Sequence, residues 1–113
     1  MRVFESALAG VPVLRPTGEV DHSNAPILEE SVQKALRANG GRLLLDLTDC
    51  PYLDSGGLSV LLYAVREMRE KGWLGVIAPT PNVLRLFEIV GLVAAPDFRV
   101  FSDFDQATEA LAG

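Results

Sequence analysis

The chain is short of the residues that build covalent or metal-centred frameworks. It has one cysteine, Cys50, and one histidine, His22. A lone cysteine forms no intramolecular disulfide, and neither a multi-thiolate nor a His-rich metal site can be assembled. Charged residues make up only 22% of the sequence, so long disordered stretches are not expected. Basic residues are the minority, 10 Lys and Arg against 15 Asp and Glu, for a formal charge of −5. A chain of this sign repels phosphate backbones and anionic lipid headgroups, and no Lys/Arg cluster offsets it locally. This argues against nucleic acid and membrane as partners. No apolar run approaches bilayer length, and the N-terminus lacks the zones of a signal peptide. A soluble, cytoplasmic protein is the expectation.

Apolar residues, by contrast, reach 49% of 113 positions. That suits one domain over residues 1–113 with a substantial core. Phe4 to Leu14 reads as two short strands turning at Gly10, with Pro12 and Pro16 suggesting an edge position. Thr17-Gly18-Glu19 is a turn. Ser23 or Asn24 can cap a helix with Pro26 in its first turn, Leu28, Val32, Ala35 and Leu36 on its inner stripe, and Asn39-Gly40-Gly41 as its stop. Leu43-Leu44-Leu45 is a continuous apolar run, the pattern of a strand buried on both faces. After a loop from Asp46 to Leu53, a long helix spans about Ser55 to Lys71, burying Leu58, Leu61, Leu62, Val65 and Met68. Gly72 ends it, and Trp73 to Ala78 is a second buried strand. Strand, helix and strand at this spacing form a parallel crossover. A further helix runs from Pro81 to about Val90 and stops at Gly91, with Leu84, Phe87 and Val83 or Val90 inward. Val100-Phe101 is a last edge strand, and Asp103 caps a final helix through Leu111. The fold class is α/β: a mixed β-sheet with about four α-helices and a central parallel βαβ crossover.

Chemistry concentrates in Asp54-Ser55-Gly56-Gly57-Leu58, where a loop becomes a helix. Helix N-termini carry unpaired N–H groups and the positive end of the dipole, so a phosphate on Ser55 would be stabilised there. Gly56 and Gly57 would let a foreign backbone approach the serine closely. The structural alternative is that Ser55 is simply the N-cap and the glycines a turn. No Glu or Gln follows Ser55 by three residues, so there is no capping box.

Four stretches together resemble the STAS domain family, and within it the anti-sigma factor antagonists of bacterial partner-switching systems. Gly18-Glu19-Val20-Asp21-His22 is similar to the family's turn before its first helix. Leu43-Leu44-Leu45-Asp46-Leu47 resembles its central strand. Tyr52-Leu53-Asp54-Ser55-Gly56-Gly57-Leu58 resembles its phosphorylation loop. Pro81 through Leu92 resembles its third helix and glycine stop. The resemblance implies a STAS-like fold, no catalytic activity and no cofactor. It implies phosphorylation at Ser55, the serine directly after the loop aspartate. It also implies an anti-sigma factor serine kinase as partner, bound by the unphosphorylated form and released by the phosphorylated one, and a serine phosphatase that resets the switch. The docking surface would include Asp21, Asp54, Gly56 and Gly57, with Asp46 nearby. Gly56 departs from the pattern, because the family usually carries a second hydroxyl there. Its loss either weakens kinase positioning or marks a member that is not phosphorylated.

Two other readings stand beside this one. The first is a constitutive STAS subunit of a signalling scaffold or lipid-transport complex. The second is an enzyme with Ser55 as nucleophile, but Leu53 stands where a nucleophile elbow needs glycine, and His22 is the only histidine. His22 reads as a bystander at a helix start, Cys50 as a small loop residue in acidic surroundings, and Trp73 as core. Asp46 and Asp54 read as solvated loop carboxylates rather than a paired-carboxylate or Mg²⁺ site.

Overall fold

A computed structural model describes residues 1–38 and 41–112. Its centre is the leucine run, which forms strand β3 (Arg42–Asp46) with Leu43, Leu44 and Leu45 all buried. Side chains alternate across a strand, so Leu43 and Leu45 enter one core and Leu44 another on the opposite face. The remaining strands are β1 (Arg2–Leu8), β2 (Val11–Thr17), β4 (Trp73–Ile77) and β5 (Phe98–Phe101), in spatial order β1-β2-β3-β4-β5. β1 and β2 form an antiparallel hairpin; β2, β3, β4 and β5 run parallel.

Strand order equals chain order, so every crossover advances in the same direction. Right-handed crossovers of that kind put their helices on one face. Helices α1 (Ala25–Ala38), α2 (Ser55–Met68) and α3 (Pro81–Ile89) accordingly share the larger core, through Leu28 and Val32, Leu58 and Leu61, and Val83 and Phe87. Phe87 meets Phe98 edge-on at 5.4 Å there. The opposite face holds Val11, Val13, Leu44, Trp73, Ile77 and Phe101 under helix α4 (Phe104–Ala112), which contributes buried Ala107.

Several sequence expectations need adjusting. Pro12 and Pro16 do not mark an edge, because β2 lies between β1 and β3. They are tolerated because β2 meets β3 only at Val13 and Leu14, and both prolines fall outside that short ladder. Helix α2 ends at Met68, short of Lys71, with Glu70 in the left-handed region at φ 68°. Leu62 is exposed, and Val60, facing the α1 side, is buried in its place. Leu84 is only partly buried and Val90 is exposed, leaving Val83 and Phe87 as the inward residues of α3. A 3-10 turn, Leu92–Ala94, follows Gly91, and β5 starts two residues before Val100. The final helix begins as expected: the Gln106 N–H donates to Asp103 Oδ1 at 2.8 Å. The stop at Asn39-Gly40 lies outside the described residues.

Gly75 sits mid-strand in β4 with Leu44, Trp73 and Phe101 crowded over it. A Cβ there would lie 2.8 Å from Leu44 Cδ2 and Trp73 Cζ3, and 2.9 Å from Phe101 Cε2. Gly75→Ala should therefore lower stability by about 1–3 kcal/mol in urea unfolding. An unchanged midpoint would mean that the Trp73–Phe101 pair does not depend on the glycine.

Candidate functional site

The parallel strands end on one rim of the sheet, and the loops leaving them lie side by side. The chain after β2 pairs with the loop after β3 through a parallel bridge, Val20 to Leu53. The Val20 N–H donates to the Tyr52 carbonyl at 3.1 Å, the Asp54 N–H to the Val20 carbonyl at 3.0 Å, and the Gly18 N–H to the Asp49 carbonyl at 2.9 Å. Two of the four resembling stretches, far apart in sequence, thus become neighbours.

Asp54 fastens the junction. Its Oδ1 accepts from the Gly56 N–H at 2.7 Å and caps α2. Its Oδ2 accepts from the His22 N–H at 3.2 Å. Asp54, not Ser55, is therefore the N-cap. Ser55 is the first helical residue, exposed, and its hydroxyl makes no hydrogen bond to the described residues. Its carbonyl accepts from the Ser59 hydroxyl at 2.8 Å.

The glycines play separate parts. A Cβ on Gly56 would lie 2.8 Å from the His22 Cα, so the half-buried glycine admits the neighbouring loop. Gly57 is buried, and a Cβ there would lie 2.9 Å from Leu53 Cβ and 3.0 Å from Val20 Cγ1. Both therefore serve close packing within the protein, and Gly57 presents no surface.

Asp21 organises the start of α1, where Ser23 or Asn24 was expected to cap. Its Oδ1 accepts from the Ser23 N–H at 2.9 Å, the Ser23 hydroxyl at 2.6 Å and the Asn24 N–H at 3.1 Å. The Ser23 hydroxyl foremost, then the Asn24 N–H, lowers the Asp21 pKa. Asp46 ends β3 but is largely buried. It is 7% exposed, on the α4 side of β3, and accepts from the Thr48 N–H at 3.0 Å and hydroxyl at 2.5 Å. Asp49 pairs with Arg15, which also stacks over Phe4. Cys50 is buried, and burial raises its pKa, so it is not poised as a thiolate. Among the described residues, no cluster of three His, Cys, Asp or Glu side chains could hold a metal ion, and no helix is long and apolar enough to cross a membrane.

Sequence reasoning missed Thr80. It caps α3 by accepting from the Val83 N–H at 3.3 Å, and its hydroxyl donates to the Pro51 carbonyl at 3.1 Å, tying α3 to the Ser55 loop. The Thr-Pro pair at a helix start was the available signal. Tyr52, 48% exposed, adds an aromatic surface two residues before Asp54.

The family model of the STAS domain matches residues 7–107. The chain belongs to the STAS domain family. It is 31% identical over 104 residues to the anti-sigma-F factor antagonist RsfB of Mycobacterium tuberculosis, covering 92% of this chain and 84% of that protein. It is 36% identical over 76 residues to the anti-sigma-B factor antagonist of Listeria monocytogenes, covering 66% and 67%. The crystal structure of an anti-sigma factor antagonist from Mycobacterium paratuberculosis matches with a TM-score of 0.86 at 26% identity, covering 99% of this chain and 94% of that one. Within this STAS fold, the reason for Gly56 is tertiary: a Cβ there would strike the His22 backbone.

Two outcomes follow from this geometry. Asp54→Ala removes the α2 cap and the His22 bond together, and should cost about 1–2 kcal/mol in urea unfolding. A loss no larger than that of an exposed-surface substitution would show that the clamp is not formed in solution. Asp21 has a lowered folded-state pKa, so its contribution to stability is full above the unfolded carboxylate range, near pH 4, and disappears as pH falls through the lowered value. The stability gap between the wild type and Asp21→Asn should therefore narrow on acidification below about pH 4. A gap that is constant with pH would contradict the assignment.

Proposed function

We propose that this chain is an anti-sigma factor antagonist, a STAS protein that acts by binding and not by catalysis. Its partner in this reading is an anti-sigma factor serine kinase, and Ser55 is the switch. The observation that carries the reading is the free, exposed Ser55 hydroxyl at the first position of α2, with Asp54 already serving as cap. A serine in that place is available to a kinase without dismantling the helix start. The naming of its relatives as anti-sigma factor antagonists supports the role.

The charge argument supplies the mechanism. Glu19, Asp21 and Asp54 make this rim acidic, which suits a partner with a basic docking surface. Phosphorylation adds about −1.5 to −2 charges and three acceptor oxygens directly beside Asp54. The phosphate is stabilised within the protein by the helix N-terminus, yet it fills the interface and opposes carboxylates already there. A coupling of about 1–3 kcal/mol changes occupancy by roughly 5–150-fold, with no refolding. A serine phosphatase restores binding.

Incubation with ATP, Mg²⁺ and the serine kinases of its own organism should add one phosphate, mapped to Ser55. Ser55→Ala should bind the kinase without being modified, and Ser55→Asp should bind at least about fivefold more weakly. Wild-type affinity in Ser55→Asp would refute the charge mechanism. Absence of modification, together with a stable complex indifferent to ATP, would replace the switch with a constitutive STAS subunit.

A further inference from the structure

The surface of α2 is not uniform along its length. The N-terminal end carries Ser55 among carboxylates, whereas the C-terminal half forms one wall of a cleft of about 340 Å³ against the end of α3 and the 3-10 turn. Leu62 and Val65 supply the α2 wall, Val90 and Ala95 the other, and Arg66 and Arg69 stand at the rim. Leu62, Val65 and Arg66 lie on one stripe of α2, and Arg69 is the residue that caps its C-terminal end. Around the cleft, Ile89 is 72% exposed, and Leu62, Val90 and Val93 are 40%, 42% and 43% exposed. Leu62 and Val90 line the same cleft, and Ile89 and Val93 flank its lining residues Val90 and Leu92 in sequence, so these are not scattered single side chains. This grouping explains why Leu62, apolar and in helical register, faces outward.

The arginines identify the occupant. Neither Arg66 nor Arg69 makes an ion pair with the described residues, although acidic side chains outnumber basic ones 15 to 10 in this chain. Glu67 lines the opposite side of α2, with Gln33, Tyr63 and Lys71, and the exposed Glu70 and Glu88 flank the cleft in sequence without lining it. An apolar trough with two unpaired guanidiniums selects a ligand with an apolar stripe and flanking carboxylates. We infer that the α2–α3 cleft is a second docking surface, which takes an acidic amphipathic helix from a protein other than the partner at Ser55. The two surfaces have opposite sign, so a basic face that suits the Ser55 rim is repelled at the cleft. The cleft begins seven residues beyond Ser55, roughly 10 Å along the helix axis at 1.5 Å per residue.

The test uses the full chain and a labelled amphipathic helical peptide of leucine and glutamate, with a twin carrying lysine for glutamate. In fluorescence anisotropy the Leu/Glu peptide should bind and the Leu/Lys twin should not. Arg66→Glu with Arg69→Glu should weaken binding roughly tenfold or more, and Ser55→Asp should leave it unchanged. Peptide-induced amide shifts should fall on residues 62–69 and 90–95. Equal binding of both peptides, wild-type affinity in the double variant, or shifts centred on Ser55 would overturn the proposal. So would concentration-dependent self-association that the double variant abolishes, because a second copy would then be the occupant.

Discussion

The two oxygens of the Asp54 carboxylate hold the functional end of this molecule together. One oxygen takes the Gly56 N–H and starts α2; the other takes the His22 N–H and holds the loop before α1. The start of both helices at this rim depends on that division. Gly56 must lack a side chain because the His22 backbone is drawn against it, and Gly57 must lack one because Val20 and Leu53 meet beneath it. Ser55 is released from capping because its neighbour already caps. The backbone bridge between Val20 and Leu53 joins the two separate stretches, and the Asp54 carboxylate fastens that junction while leaving the neighbouring hydroxyl exposed.

The fold beneath was largely legible because periodicity reports burial. Leu43-Leu44-Leu45 reads as a doubly buried strand whatever surrounds it, and the glycine and proline punctuation bounds the helices to within a few residues. The misreadings arise where a partner in space overrides a local rule. Pro12 and Pro16 stand within the β1–β2 ladder, opposite Ala7 and Val3, and fall outside only the β2–β3 pairing, which is two residue pairs long. Leu62 obeys the helical stripe, yet it is exposed and lines an open cleft. Asp54 and Ser55 are both good N-cap residues in adjacent positions, so local preference could not choose between them. The His22 N–H, 32 residues away, is the second donor that makes the aspartate the better hub. Gly56 stood out in sequence only as a missing hydroxyl; its reason is a tertiary contact that no local pattern contains.

The same helix that presents Ser55 also separates charge along its length. Negative charge is favoured at a helix N-terminus and positive charge at its C-terminus, so Asp54 at one end and Arg66 and Arg69 at the other each suit the α2 dipole. Local stability therefore favours an arrangement that also creates two surfaces of opposite sign. Solvent keeps them independent. At physiological ionic strength, exposed charges separated by more than about 8 Å are largely screened. A phosphate on Ser55 acts strongly on Asp54 beside it and weakly on guanidiniums two or more turns away. If Ser55 is phosphorylated and the cleft binds a partner, as proposed, charge change at one end of α2 governs one partner while the other end keeps its own preference, because the solvent separates the two surfaces electrostatically.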